Sequence, residues 1–346
     1  MPLVSCIMSN YNTNVKMFRV AIESVLEQSL TDFELILIDD CSTDQESRRI
    51  IEEYSSRDKR IVPIYNKNNL GLAAALNEGL KIAKGKYIAR FDTDDICLPN
   101  WLEEEISYME KQHAQVCSSF SHLFGGENGI VSTMFYSADE VKAALMFSCH
   151  LYHTTAIFLR DFLSRNSIMY DPDFNGAEDF DIFQRCFSAG AKICIIPQVL
   201  FHYRMHDQST CHTEKSKQKK LTWLLCKRQL NLLNADCTDS EIYAHKVLCG
   251  LAEFRPTDYQ LVSNWCSKLI MMNTQKKLFD QKAFEKIVYN RFFRAVLKSN
   301  VETHKKVKIL LQNRKLASMT NLNSQLYKIR FEKKNIREME RALNDL

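Results

Sequence analysis

Glycine is scarce in this sequence, with nine residues among 346, and none of them precedes Gly71. The first strand-like segment is followed by SNYN, residues 9–12, so the chain lacks the G-x-G-x-x-G turn of dinucleotide-binding folds. A G-x-x-x-x-G-K-[ST] phosphate loop is also missing. A nucleotide bound by this protein must therefore be held by side chains and a metal ion rather than by a glycine-rich loop.

Long apolar runs and paired cysteines are missing too. No stretch approaches 18 uncharged apolar residues, and the N-terminal PLVSCIM has neither a basic region nor a small-residue cleavage site. We therefore expect a cytoplasmic protein that is neither secreted nor membrane-spanning. The 12 cysteines include no C-x-x-C pair, which argues against a zinc ribbon or a redox motif and fits reduced thiols.

Charge is divided unevenly along the chain. Residues 1–211 hold 19 Lys and Arg against 29 Asp and Glu, whereas residues 212–346 hold 27 against 13. The length and the charge division favour one large α/β domain over 1–211 and a basic appendage over 212–346. Neither part has the pattern of a nucleic-acid-binding protein. An anionic membrane surface suits the basic part better, and a set of solvated helices is the plain alternative.

Strand-like segments alternate with helical patterns in the first hundred residues. Apolar segments at 3–8, 33–38, 61–65 and 86–91 each end in polar or acidic residues, and a helical pattern follows. This alternation is typical of a parallel sheet with crossover helices, in which ligands bind beyond the carboxyl ends of the strands. The residues at those ends are Ser9, Tyr11, Asp39, Asn69 and Asp92.

Three carboxylates crowd the end of the fourth segment, in KYIARFDTDDICLP (86–99). Like charges this close raise one another's cost of ionisation unless a cation neutralises them. Asp92 and Asp94 alternate along an extended chain and so can face one ligand, and their oxygens suit Mg²⁺ or Mn²⁺. The alternative is that Asp94 or Asp95 caps the following helix.

A second acidic pair, Glu178-Asp179, opens an amphipathic helical pattern after Asn175-Gly176. A helix N-terminus attracts acidic residues through its dipole alone, which is the structural alternative. A carboxylate there could also accept the proton of an attacking hydroxyl group. Farther along, His202, Arg204 and His206 fall on one side of a predicted strand; we expect His202 to be structural. His150 is expected to be structural as well.

Six motifs in order resemble the bacterial family 2 glycosyltransferases with a GT-A fold, over residues 3 to about 211: LVSCIMSNYN, LILIDDCSTD, NNLGLAAALNEGL, YIARFDTDDICLP, AEDFDIFQR and HYRMHDQS. The resemblance implies a mostly parallel sheet flanked by helices, with a nucleotide-binding half (1–99) and an acceptor-binding half (100–211). It also implies transfer of a sugar from a nucleotide diphosphate, usually with inversion and with a divalent metal.

The resemblance implies roles on the donor side. Tyr11 would lie against uracil, Asp39 would accept from the uracil N–H, and Asp92 would hold the ribose. Ser9 and Asn69 complete the predicted nucleotide-sugar site.

The metal and acceptor roles follow from the same resemblance. Asp94 and His206 would bind the cation, and the histidine nitrogen favours Mn²⁺ over Mg²⁺. Asp179 would be the catalytic base, with Asp181 as the second choice. Glu178 and His153 would contact the acceptor.

Beyond residue 211 no motif matches, and helical patterns cover 221–233, 240–254, 259–272, 283–297 and 322–343. The apolar stripe of the last pattern suits the protein's own core or a second subunit, so a homodimer is one expectation. A basic patch over 305–315 favours peripheral contact with the inner face of the cell membrane.

The sequence therefore predicts a UDP-sugar-dependent hexosyltransferase. It would move galactose, N-acetylgalactosamine or glucose to a glycan or lipid-linked glycan acceptor in the synthesis of bacterial surface polysaccharide, lipopolysaccharide or lipooligosaccharide. A catalytically silent GT-A binding or assembly subunit is one alternative. A sugar nucleotidyltransferase is another, although its usual glycine- and basic-rich opening loop is missing here.

Overall fold

The protein, analysed as a computed structural model, consists of two compact units. The first comprises Met1–Thr133 and Leu151–Gln218, and the second comprises Met134–His150 and Lys219–Leu346. The structure describes residues 1–125, 129–131, 137–205, 215–233 and 236–300, with the backbone alone for 129–131. The first unit thus runs past residue 211, and residues 134–150 join the second unit. The roles predicted for 1–99, 100–211 and 212–346 remain predictions.

The described residues form nine strands: β1 (Val4–Asn10), β2 (Phe33–Asp39), β3 (Ile61–Tyr65), β4 (Tyr87–Arg90), β5 (Ile96–Cys97), β6 (Val116–Phe124), β7 (Gly129–Val131), β8 (Ile157–Leu159) and β9 (Ile193–Arg204).

The helices of the described residues are α1 (Val15–Leu26), α2 (Gln45–Arg57), α3 (Leu72–Ile82), α4 (Trp101–Gln112), α5 (Ala138–Ala144), α6 (Arg160–Arg165), α7 (Glu178–Ser188), α8 (Lys215–Leu233), α9 (Asp239–Cys249), α10 (Tyr259–Lys276) and α11 (Gln281–Lys298).

The first unit is built on a single sheet with the order β3-β2-β1-β4-β8-β6-β9-β5, and β7 pairs with β6. Strands β1 to β4 are parallel, as predicted. The second half of the sheet is mixed, because β8 runs antiparallel to β4 and β6, and β5 runs antiparallel to β9. Strands β6 and β9 of this half are parallel along the whole of β6, so the sheet is mostly parallel, as predicted, with short antiparallel pairs.

The register of the parallel strands brings their carboxyl ends side by side. Asn10 pairs with Asp39, and Asp39 pairs with Tyr65. Strand β2 is buried along its whole length, and α1 covers one face of the sheet with Phe18, Ile22 and Val25. Such complete burial explains why these strands are continuous apolar runs.

Helix α3 lies unusually close to the sheet at Gly79. A Cβ atom at this position would lie 2.6 Å from Cγ2 of Ile7, so a larger residue would push the helix away from β1. The close approach positions the loop before α3 at the edge of the sheet where the parallel strands end.

The second unit contains α5, α9, α10, α11 and most of α8. A capping box at Thr238 and Glu241 begins α9, and Gly250 ends it in the left-handed conformation. Buried Trp265 of α10 donates from Nε1 to Nδ1 of His245 at 3.3 Å. The helices predicted at 221–233, 259–272 and 283–297 are confirmed, and the one predicted at 240–254 is confirmed but ends at Cys249. The predicted helix at 322–343 and the basic patch at 305–315 lie outside the described residues.

In the part of the chain that the structure describes, no helix combines the length and the apolar character needed to span a membrane.

Candidate active site

The loops after β1 and β2 form one side of the site. Asp39 ends β2, and its Oδ1 accepts a hydrogen bond from the backbone N–H of Ser42 at 3.2 Å. Asn10 of β1 donates from Nδ2 to Oγ of Ser42 at 3.1 Å, which joins the two loops. Beyond them Tyr11 is 49% exposed, although it is a large aromatic residue. Ser9 lies within β1, opposite Ile38. An exposed ring beside a carboxylate is suited to binding a planar base.

Asp40 has a different task from its neighbour Asp39. It is 2% exposed and accepts hydrogen bonds from Nδ2 of Asn66 at 2.7 Å, from the backbone N–H of Leu70 at 3.1 Å and from that of Gly71 at 2.9 Å. Asn69 lies in the same loop, where its Oδ1 accepts from the N–H of Gly71. Asp40 therefore holds the loop that carries Asn69, a structural role that the sequence analysis missed.

Asp40→Ala is expected to lower the free energy of unfolding by about 2 kcal/mol, because the buried carboxylate accepts from three donors of the loop, which all lose their acceptor. Asp39→Ala is the matched control: it removes one hydrogen bond within the protein, so it should cost about 1 kcal/mol or less and instead weaken UDP binding. Urea unfolding and calorimetry with UDP would measure both. Equal stability losses in the two variants would contradict the division of roles.

The acidic cluster after β4 consists of Asp92, Asp94 and Asp95, with one ligand oxygen of each within 4.8 Å of the others. Arg90 Nη1 forms an ion pair with Oδ2 of Asp92. Asp95 accepts from the backbone N–H of Arg204 at 2.8 Å, and Arg204 Nε donates to the carbonyl of Asp94 at 2.8 Å. These acids precede β5, and α4 begins only at Trp101, so the alternative of a helix cap is wrong.

Electrostatics favours a cation at this cluster. Burial, followed by the charges of Asp94 and Asp92, raises the pKa of Asp95 well above its ordinary value. Burial also raises the pKa of Asp92, which Arg90 opposes. A bound divalent cation would lower the free-energy cost of ionising these carboxylates. Three convergent carboxylates also supply the hard oxygen ligands that Mg²⁺ and Mn²⁺ prefer. The proposed ligand His206 lies outside the described residues.

Glu178 and Asp179 begin α7, as predicted. Glu178 is 7% exposed and accepts from the N–H of Gly176 at 2.6 Å, whereas Asp179 is partly exposed. Asp181 is fully buried and forms an ion pair with Nη2 of Arg185 at 2.5 Å. Because a base must reach the acceptor, this geometry disfavours Asp181 and leaves Asp179 as the better placed carboxylate.

His153 lies beside this acidic pair. Its Nε2 lies 2.9 Å from the hydroxyl of Tyr170, and its Nδ1 lies 3.8 Å from Oε1 of Glu178. Burial and the charge of Arg90 lower the pKa of His153 well below its ordinary value, so the ring is neutral. Burial and the neighbouring Asp179 raise the pKa of Glu178 to about 7. The structure therefore brings together the two predicted acceptor residues.

Asn175 joins the loop before α7 to the start of α3. Its Oδ1 accepts a hydrogen bond from the backbone N–H of Ala73 at 3.3 Å. Tyr170 and Asn77 exchange two further bonds across the same interface, each at 2.8 Å. The loop that Asp40 holds leads into α3, and α3 is hydrogen-bonded to the segment that precedes Asp179.

Sequence reasoning missed Arg90, which bonds Asp92 and lies in the same buried region. A signal was present, since an arginine inside a buried strand needs an acid, and Asp92 two residues later falls on the same side of an extended chain. His202, expected to be structural, lies buried with its Nδ1 3.2 Å from Nδ1 of His122. Burial and His122 lower the pKa of His202 to about 4.

Comparison with known proteins gives consistent results. The model of "Glycosyl transferase family 2" matches residues 5–185. An uncharacterized glycosyltransferase of Methanocaldococcus jannaschii is 34% identical, over 65% of this chain and 79% of the relative. A UDP-Glc:alpha-D-GlcNAc-diphosphoundecaprenol beta-1,3-glucosyltransferase of Escherichia coli is 30% identical, over 72% and 91%.

The fold also resembles a solved structure. Residues 1–349 of Staphylococcus aureus TarS, in complex with UDP-GlcNAc, align with a TM-score of 0.58 and 20% identity over 84% of this chain and 88% of that chain. At this identity the similarity concerns the fold, which is of the GT-A type. The family match covers more than half of the sequence and includes the acidic cluster and the start of α7, and the chain therefore belongs to glycosyl transferase family 2 and is a glycosyltransferase.

Proposed function

We propose that the protein is an inverting transferase that moves a hexose or N-acetylhexosamine from a UDP-sugar to a glycan acceptor. The observation that carries the proposal is that two separate acidic groups occur in one connected region. The N–H of Asp92 in the cluster donates to Oγ1 of Thr154, and the neighbouring His153 lies 3.8 Å from Glu178 of the second acidic pair. A cation site and a base in one region are what transfer from a nucleotide diphosphate requires.

On the donor side, exposed Tyr11 stacks on the uracil ring, and Asp39 accepts a hydrogen bond from the uracil N–H. Asp92 binds the ribose, with Ser9 and Asn69 near the nucleotide sugar. Asp94 and His206 would hold Mn²⁺ or Mg²⁺. When bound, the cation neutralises the negative charge that develops on the departing diphosphate.

On the acceptor side, Asp179 accepts the proton of the attacking hydroxyl group as its oxygen bonds to the anomeric carbon. The bond between that carbon and the diphosphate breaks with its electron pair on the leaving oxygen. Attack from the opposite face inverts the configuration. Glu178 and His153 orient the acceptor through hydrogen bonds, and the neutral His153 adds no charge to the site.

The names of the relatives support the substrate class. The Escherichia coli relative is named for a UDP-glucose donor and a diphosphoundecaprenol-linked acceptor, and a Bacillus subtilis relative, 30% identical, is named for teichuronic acid biosynthesis. We therefore propose a lipid-linked glycan acceptor in bacterial surface polysaccharide synthesis and peripheral contact with the inner face of the membrane. The intact Asp92, Asp94 and Asp179 speak against a catalytically silent subunit.

The experiment is a donor panel. UDP-glucose, UDP-galactose, UDP-GlcNAc, UDP-GalNAc and GDP-mannose would be tested by thermal shift and UDP or GDP release, with Mn²⁺, Mg²⁺ or EDTA. We expect stabilisation that grows with the concentration of one UDP-sugar and depends on the metal. If no UDP-sugar binds while GDP-mannose does, the donor assignment is wrong. If no donor is hydrolysed or transferred, the silent-subunit alternative holds.

The pH dependence of transfer tests Glu178. Because its pKa is about 7, the side chain is ionised above neutral pH and protonated below it. An ionised carboxylate accepts hydrogen bonds from the acceptor hydroxyls, so we expect kcat/KM to rise through about pH 7. In Glu178→Gln the side chain cannot titrate, so this rising limb of the pH profile of kcat/KM should disappear. If the variant keeps a rising limb at the same pH, the limb belongs to another titrating group.

A further inference from the structure

Arg90 is the last residue of β4 and is only 3% exposed. Its guanidinium pairs with Asp92, and its Nε has no hydrogen-bond partner among the described residues. Burying a guanidinium costs free energy unless acids surround it. The carboxylate of Asp92 cannot accept hydrogen bonds from all five N–H donors of the planar Arg90 guanidinium.

The main chain at the end of β4 is joined to the segment that carries His153. The turn at His153–Thr155 is fastened to the end of β4, since the N–H of Arg90 donates to Ala156 O at 3.0 Å and that of Asp92 donates to Thr154 Oγ1 at 3.2 Å. This turn places His153 3.8 Å from Glu178. After burial, the positive charge of Arg90 lowers the pKa of His153, and after larger effects of burial and Asp179 it also lowers the pKa of Glu178; it therefore favours a neutral histidine beside an ionised glutamate.

We propose that Arg90 is a positioning residue of the transfer reaction, which holds Asp92 on the donor side and Glu178 on the acceptor side in a fixed relation. This inference rests on the proposed function. Without the guanidinium, Asp92 would lie beside two other acids and lose its ion-pair partner, and Glu178 would lose a charge that favours its ionised form. The two halves of the site would then be free to separate, and small displacements of reacting groups are costly to turnover.

The test compares Arg90→Gln and Arg90→Lys with Arg185→Gln as the matched control. Arg185 also pairs with a buried acid of this unit, Asp181, but it contacts neither Asp92 nor Glu178 in the described contacts. We expect kcat of Arg90→Gln to fall by about 100-fold and that of Arg90→Lys by about 10-fold, because lysine keeps the charge but not the fork. Arg185→Gln should stay within about threefold per folded molecule while its Tm falls.

A pH profile separates positioning from stability. Removing the cation raises the pKa of Glu178, so the limb near pH 7 should move to higher pH in Arg90→Gln and stay unchanged in Arg185→Gln. If Arg90→Gln does not fold, the same two readouts on Arg90→Lys decide.

Three outcomes would overturn the inference: folded Arg90 variants with wild-type kcat, a kcat loss without any shift of the limb, or failure of both variants to fold while Arg185→Gln folds. The last outcome would show a purely structural role. A wild-type protein that transfers no sugar would instead overturn the proposed function.

Discussion

Asp179→Asn is expected to lower turnover by roughly two to four orders of magnitude and to leave UDP-sugar affinity within about threefold of wild type. The base is needed only when the acceptor hydroxyl loses its proton, whereas donor binding depends on the nucleotide pocket and the cation site. The amide has the shape of the carboxylate, so the fold should survive. Steady-state kinetics with saturating donor and calorimetry with UDP would measure the two quantities separately.

Asp181→Asn is the matched control for this experiment. Asp181 lies on the same first turn of α7, but it is fully buried and paired with Arg185. Breaking a buried pair destabilises the protein by about 3 kcal/mol, so Tm should fall while the folded enzyme keeps most of its turnover. If Asp179→Asn retains more than about a tenth of wild-type turnover, the base is another group, and Glu178 is the nearest candidate.

Asp94→Ala is expected to remove most transferase activity, about 100-fold or more, together with the Mn²⁺-dependent part of UDP affinity. In the proposed mechanism Asp94 binds the cation, and the diphosphate would contact the protein through that cation. Titration of UDP in Mn²⁺ and in EDTA would measure the effect: the wild type should show a large difference between the two conditions, and the variant little.

Asp58→Ala is a suitable control, since Asp58 pairs with Arg60 near the start of β3, away from the strand ends that form the site. Its removal should change neither UDP affinity nor metal dependence. If Asp94→Ala binds UDP in Mn²⁺ as tightly as the wild type, the metal assignment is wrong, and Asp92 and Asp95 would be the carboxylates to examine next.

The first half of the sheet was predictable because its signals are local. Buried parallel strands are continuous apolar runs, and the acids and amides at their ends lie in the sequence where the strands stop. Asp39, Asn69 and Asp92 could therefore be placed at one edge of the sheet before any coordinates were known. The register between β1 and β2 then required only that both apolar runs be buried.

The second half of the sheet and the residues proposed for the acceptor side depend on contacts between residues that are distant in the sequence. Strands β5 and β8 have two and three residues, too few for a period to be recognised, so their antiparallel pairing was not predicted. Arg90 and Glu178 lie far apart in the sequence, on either side of the segment that belongs to the second unit. The ion pair of Asp181 with Arg185 is local, yet its burial depends on the packing of α7, so the sequence left Asp181 open as a base.

The membership of residues 134–150 in the second unit has a practical consequence for protein production. A shortened chain ending at Gln218 would retain this segment and lose α9 and α11. Phe147, fully buried, lies against the ring of His245 and beneath the guanidinium of Arg291, both of which would be missing. Glu140 would lose its ion pair with Lys286. Such a fragment would expose apolar surface and aggregate, so a soluble catalytic fragment requires a short polar linker in place of residues 134–150.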